Sequence, residues 1–263
     1  MAVDMHTALA GLFVGLMVGL TGIGGGALMT PILVLILGTA PKTAVGTDLF
    51  FAAITKMAGA AVHGQRGTID WQIWRRLAAG SLPAALVTGL ALHLFGGTVV
   101  KADSAIMYGL GSMLVLTAAG LMLKPRLHAL SRHLRADRVE RFKHLQGPLT
   151  VLAGVFLGVV VTLTSVGAGA LGTVIMLYLY PVRLTPAKVV GTDLAHAIPL
   201  ALVAGSGHLM AGHVNYLLLM TLLLGSIPGV LFGSWLSGRA PEGVLRFLLA
   251  LLLLATGLKI LLA

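Results

Sequence analysis

The sequence predicts an all-α polytopic membrane protein made of two inverted-topology repeats. Each repeat is a broken-helix hairpin followed by three transmembrane helices. Three observations predict this. First, 57% of the 263 residues are hydrophobic and only 10% charged, where soluble domains carry about 25% charged residues, and the mean hydropathy is +0.99. Second, blocks of sequence recur at a fixed offset. Third, basic residues are concentrated in alternate connections, with only Lys42, Lys56, Lys101 and Lys259 outside them, and this asymmetry fixes the sidedness of membrane helices. No stretch of soluble composition is long enough to fold alone. The net charge of +10 is assigned to basic cytoplasmic loops, not to nucleic-acid binding. There is no Cys, so disulfides, thiolate metal sites and cysteine nucleophiles are excluded.

The first element is a pair of short apolar stretches, 6–21 and 27–37, split by "TGIGGG". Lys42 is the first Lys or Arg of the chain, so the basic n-region of a signal peptide is missing and the first segment is expected to be retained. A helix of about 11 residues rises only about 17 Å, too little to cross a hydrocarbon core of about 30 Å. The pair therefore predicts a hairpin of short or broken helices. Stretches 43–62, 77–95 and 104–123 are each long enough to span, and together residues 1–123 make the first repeat. Residues 124–147 form a basic linker with Lys124, Arg126, Arg132, Arg135, Arg138, Arg141 and Lys143, expected to be a plain cytoplasmic loop. The second repeat, 148–263, opens with another split pair, 148–164 and 170–180, and continues with spans 187–207, 214–236 and 244–262.

Arg66, Arg75 and Arg76 place the connection after the third stretch in the cytoplasm with the linker, and two spans between them keep the parity. Arg183 and Lys188 put the connection after the second hairpin on the same side, whereas "SGHLMAGHVN" has no Lys or Arg and is expected to be external. Both termini then face outward, as in a multi-pass plasma (inner) membrane protein.

"GTDL" occurs at Gly46–Leu49 and again at Gly191–Leu194, 145 positions on (191 less 46). The same offset carries Pro41 to Pro186, His63 to His208, Gly67 to Gly212, and Gly80-Ser81-Leu82-Pro83 to Gly225-Ser226-Ile227-Pro228. Eased to 143 (154 less 11), it lays "GLFVGLMVGLTGIGGGAL" on "GVFLGVVVTLTSVGAGAL". The mates His63–Arg76 and His208–Asn215 fall on opposite sides, so the two halves are inserted upside down. Inverted repeats with interrupted helices mark secondary transporters that bind substrate near the midplane.

The breaks themselves supply the candidate site. Irregular backbone at membrane depth is tolerated only inside protein or along a wet cavity, and the start of the following half-helix offers free N–H groups that attract anions. The substrate-binding candidates are thus Gly22, Gly24, Gly25 and Gly26 in the first half and Gly167 and Gly169 in the second. Thr21, Thr164 and Ser165 flank them as hydroxyl donors or as caps of the broken ends. Gly11, Gly15 and Gly19, spaced by four, are assigned to close helix packing. Lys56 either snorkels to the interface or binds the anion. Asp48 and Asp193, repeat mates inside predicted spans, either anchor helix starts through the dipole or couple transport to a proton or cation, and Thr47 and Thr192 share that choice. His196, three residues after Asp193, either relays protons or packs as a buried, hydrogen-bonded His. For His63 and His208 an interfacial C-terminal cap is preferred, and Asp70 and Asn215 are expected to cap the helices that follow them. No His or acid cluster has metal-site spacing. No metal, cofactor or enzymatic activity is expected.

The motifs "GLTGIGGGALMTP", "AVGTDL", "H…RGTIDW", "VGAGALG", "PAKVVGTDLAHAIPLALVAGSGHLMAGHVNY" and "GSIPGVLFGS" resemble the TauE/SafE family of sulfite and organosulfonate exporters, also called the 4-toluene sulfonate uptake permease family. The resemblance covers nearly the whole chain. It implies a plasma-membrane carrier whose partners are the lipid bilayer and a small sulfur oxyanion or related organic anion, moved by alternating access. With the cell interior negative, outward movement of an anion is electrically downhill by about 2.3 kcal/mol per charge per 100 mV, so coupling to another ion is not required and stays open. The competing reading is a cation or proton antiporter using Asp48 and Asp193.

Overall fold

The protein is described by a computed structural model over residues 5–21, 26–65, 67–95, 102–136, 139–181, 183–236 and 242–262. Among these residues the chain forms ten helices: α1 (Met5–Thr21), α2 (Gly26–Leu35), α3 (Pro41–Gln65), α4 (Trp71–Phe95), α5 (Ala102–Ala136), α6 (Val139–Thr164), α7 (Ala170–Leu179), α8 (Pro186–Met210), α9 (Tyr216–Leu236) and α10 (Glu242–Leu262). Six are long and apolar enough to cross a membrane: Trp71–Leu94, Ile106–Leu123, His144–Thr164, Ala187–Met210, Tyr216–Gly233 and Gly243–Leu262.

Two expectations are corrected here. The linker is not a plain loop, because α5 runs on through Ala136 and α6 begins at Val139. Its Ala, Leu, Arg, Lys and Glu are good helix formers, and Gly147 is its only glycine. For the same reason the segment expected to start at Pro148 is part of a longer helix. Pro148 lies inside α6, and His144–Thr164 joins the six long apolar stretches. α3 is missing from those six although it has 25 residues; it carries Lys42, Asp48 and Lys56. By contrast, α2 and α7 have ten residues each, about 15 Å of rise, as short as the split pairs require.

The polarity of the bundle is that of a membrane protein. Leu86, Val87, Leu90 and Leu94 on α4 and Met220, Leu224, Ile227 and Leu231 on α9 point outward, while Thr47, Asp48, Lys56, Asp193 and His196 are buried. A soluble monomer does not expose such continuous apolar faces.

α1 packs on α9, α4 on α6, α5 on α10, and α3 on α8. Glycines bring the first two pairs to backbone contact. A Cβ on Gly11 or Gly15 would collide with the carbonyls of Leu222 and Ser226, and one on Gly154 or Gly158 with those of Leu77 and Ser81. Leu77 and Ser81 precede Leu222 and Ser226 by the 145-residue offset (222 less 77), so the same contact is made twice. The connections repeat as well. Gly67 and Gly212 both hold a left-handed backbone, with φ of 62° and 75°, a conformation glycine adopts without steric cost.

Candidate functional site

α3 and α8 begin alike, each with proline in its first turn, where its missing N–H costs nothing. Thr185 caps α8 by accepting from Lys188 N. Seven residues into each helix stand Asp48 and Asp193, both buried. The threonines before them bind across the bundle: Thr47 Oγ1 accepts from Asn215 N at 3.1 Å, and Thr192 Oγ1 accepts from Asp70 N at 2.9 Å. Asp70 and Asn215 are the expected helix caps. Asp70 Oδ1 accepts from Gln72 N and Ile73 N, and Asn215 Oδ1 from Leu218 N.

Asp48 Oδ2 accepts from the Thr30 hydroxyl of α2 at 2.5 Å. Its other oxygen, Oδ1, has no hydrogen-bond partner. The Ser165 hydroxyl lies close enough to act on this carboxyl, and Ser165 Oγ makes no hydrogen bond of normal geometry. Lys56, two turns on from Asp48, is buried with 4% exposure and does not snorkel. Its ammonium lies within electrostatic reach of Asp193 and of Asp48, and it also acts on His196. His196 is a buried, hydrogen-bonded histidine whose Nε2 meets Ser81 Oγ at 2.8 Å.

The break between α6 and α7 is the centre of this cluster. α6 ends at Thr164, whose hydroxyl donates to Val160 O and accepts from Val166 N, tying the turn after the helix to its last turn. Ser165 turns the chain with φ of 58°, and Gly167 has φ of 116°. Left-handed backbone at a non-glycine residue costs roughly 1–3 kcal/mol and clusters at functional sites. α7 then starts at Ala170 with Gly169 as its N-cap; within its first turn Gly172 N donates to Gly167 O and Thr173 N to Gly169 O.

A small cavity opens at this break, lined by Ala27, Lys56, Ser165, Gly167, Gly169 and Ala201, among others. Its volume is about 10 Å³, room for about one water. Four of the sequence candidates, Lys56, Ser165, Gly167 and Gly169, therefore meet at one point. Thr164 serves the backbone instead. Thr21 closes α1, but its side chain, like Gly22, Gly24 and Gly25, lies outside the described residues, as does the side chain of His63; Gly26 begins α2.

His208 is not an interfacial cap of its own helix. It is fully buried and its Nε2 meets Thr162 O at 2.8 Å. Thr162 is in the last turn of α6, where carbonyls lack intrahelical partners, so His208 satisfies the broken end of a different helix. Its ring centroid is 5.7 Å from that of His213.

Sequence reasoning missed three partners. Thr30 binds Asp48 and Ser81 binds His196. Arg183, read only as a topology signal, donates from Nε and Nη2 to Asp70 Oδ2 and Oδ1 at 2.7 and 2.9 Å. Burial alone would raise the Asp70 carboxyl, but the Arg183 hydrogen bonds and the N–H groups of Ile73 and Gln72 outweigh it and hold it below the usual carboxylate range. Among the described residues no group of three or more metal-ligating side chains comes together.

A helical bundle with apolar outer faces, charged residues buried inside it and a small cavity at a helix break belongs to the membrane transporters. The chain is a member of the sulfite exporter TauE/SafE family, whose family model matches residues 7–260. It is 43% identical to the probable membrane transporter protein YjnA of Bacillus subtilis over 96% of this chain and 97% of that one. It is 28% identical to the probable membrane transporter protein MJ0441 of Methanocaldococcus jannaschii, over 97% of this chain and 94% of the relative. No solved structure matches it.

Proposed function

We propose that the chain exports small sulfur-containing anions, sulfite or organosulfonates, across the plasma membrane by alternating access, holding the anion at the glycine-rich helix breaks. The carrying observation is the cavity at the α6–α7 break, lined by Lys56, Ser165, Gly167 and Gly169. A cation, a hydroxyl and the N-terminus of a half-helix are complementary to a small oxyanion. The same features oppose a cation antiporter, since Lys56 lies within electrostatic reach of both acids. The family's description as sulfite exporter supports the cargo and the outward direction. The duplicated contacts of α1 on α9 and α6 on α4 support two equivalent halves, and the basic connections support their opposite insertion, with both termini extracytoplasmic. The cavity has room for about one water, so an oxyanion enters only after the helices move apart.

The test is uptake of labelled sulfite, taurine and sulfoacetate into proteoliposomes, with Lys56→Met as control. Saturable uptake of one of them, lost in Lys56→Met while the variant keeps its helical content and monodispersity, is expected. Absence of flux for all three with folded wild-type protein overturns the reading.

A further inference from the structure

We propose that the anion binds together with a proton taken up by Asp48, and that the carrier moves the two as a pair. The inference rests on the anion-carrier reading and deepens it.

The charge balance at the cavity gives the first argument. Among the described residues, the buried charged side chains around the break are Asp48 and Asp193 with one cation, Lys56. With both acids ionised the cluster is already negative by one charge, and an anion would add a second at low dielectric. One proton on an acid makes the cluster neutral before the anion arrives.

Hydrogen-bond direction gives the second and singles out Asp48. Its Oδ2 is committed to the Thr30 hydroxyl, while Oδ1 is open and lies beside Ser165. An ionised carboxylate only accepts, so it draws the Ser165 hydrogen toward itself and turns the oxygen lone pairs toward the cavity. A proton on Oδ1 reverses the order. Asp48 then donates to Ser165 Oγ, and the Ser165 O–H is free to donate to the anion. Thr30 keeps its bond to Oδ2 in both states. The proton comes from solvent on the side to which the site opens and leaves with the anion on the other.

The remaining ionisable neighbours do not replace Asp48. Lys56 is the charge acting on it. α8 brings Asp193 and His196 toward Lys56, and His196 is engaged by Ser81. His208 and His213 pack against Gly46, two residues before Asp48, with His208 Nε2 committed to Thr162 O. A monoanion carried with one proton moves no net charge, so its own gradient and the pH gradient set the direction. An anion accumulated in the cell beyond the ratio that the pH gradient sustains leaves.

The experiment uses full-length protein in proteoliposomes holding a pH-sensitive dye, with whichever of sulfite, taurine or sulfoacetate the wild type carries. At clamped zero potential, a medium one pH unit more acidic than the lumen is expected to accumulate the anion about tenfold, since about 1.4 kcal/mol is a factor of ten. The dye should report proton entry that tracks anion entry. Asp48→Asn is expected to retain measurable anion counterflow and to lose proton entry. Anion uptake without proton entry, driven by potential alone, overturns the inference and leaves the carrier reading standing. Wild-type protein that carries none of the three anions overturns both. The wild-type dye signal decides whether a proton travels with the anion, and Asp48→Glu, which keeps a titratable carboxyl, should retain the proton entry that Asp48→Asn loses; proton entry undiminished in Asp48→Asn overturns the assignment to Asp48.

Discussion

The Asp70–Arg183 pair allows the most quantitative prediction. It joins the start of α4 to the connection between α7 and α8 through two parallel hydrogen bonds of 2.7 and 2.9 Å. The same carboxylate caps α4. Hydrogen bonds to charged groups contribute roughly 1.5–3 kcal/mol when shielded. The Arg183 side chain is 43% exposed, the Asp70 side chain 7%, so solvent screening reduces the pair to about 1 kcal/mol. The cap adds about 1 kcal/mol. Arg183→Ala should therefore cost about 1 kcal/mol and Asp70→Ala about 2 kcal/mol. The double variant should cost no more than Asp70→Ala alone, because Arg183 has already lost its partner. In thermal unfolding of detergent-solubilised protein, each kcal/mol corresponds to about 2–4 °C at this chain length. The pH dependence follows from the direction of the shift. The Asp70 carboxyl is held below its ordinary value, so the stabilisation is fully present above the ordinary carboxylate range and is lost as pH falls through the depressed value. The wild type should lose its advantage over Asp70→Ala on acidification. Additive single-variant costs, or an advantage that persists in strong acid, would refute the reasoning.

Three further predictions can be checked separately. Ser165→Ala removes a hydroxyl at the cavity, and anion affinity measured by competition for flux should fall about 10–100-fold, the equivalent of one charge-assisted hydrogen bond; unchanged affinity would remove Ser165 from the site. His208→Phe leaves Thr162 O unpaired at the broken end of α6 and should cost about 1–3 kcal/mol in thermal unfolding; a neutral result would show that the carbonyl finds another donor. The chain has no Cys, so single cysteines report sidedness directly: Ile69→Cys should react with an impermeant thiol reagent only from the cytoplasmic side and Ala211→Cys only from outside, and labelling from one common side would contradict inverted insertion.

Most of what organises the site was legible because it is encoded locally. A glycine cluster in an apolar stretch, proline before a threonine–aspartate pair, and the recurrence of both are one-dimensional signals that point to Ser165, Gly167, Gly169, Asp48 and Asp193, while Lys56 stands out as one of few basic residues within a predicted span. What stayed hidden depends on approach through space. Arg183 looked like any loop cation until the fold set it on Asp70, 113 positions away. Thr30 is one small polar residue on an apolar ten-residue helix, and only its closeness to Asp48 gives it a role. His208 at the end of α8 looks like a cap of that helix, but the fold turns it onto α6. The extent of α6 differs for another reason. Pro148 reads as a helix start, yet strong helix formers precede it and α6 runs on through it.

The central claim is that the transported anion sits at the α6–α7 break, and a single cysteine in the cavity wall tests it most directly. Ala201 lines that cavity and is otherwise packed in α8. In Ala201→Cys protein in proteoliposomes, the rate of alkylation by a small neutral thiol reagent should fall several-fold when the carried anion is added at a concentration that saturates uptake. Alkylation that proceeds at the same rate with and without the saturating anion would place the binding site elsewhere and contradict the account.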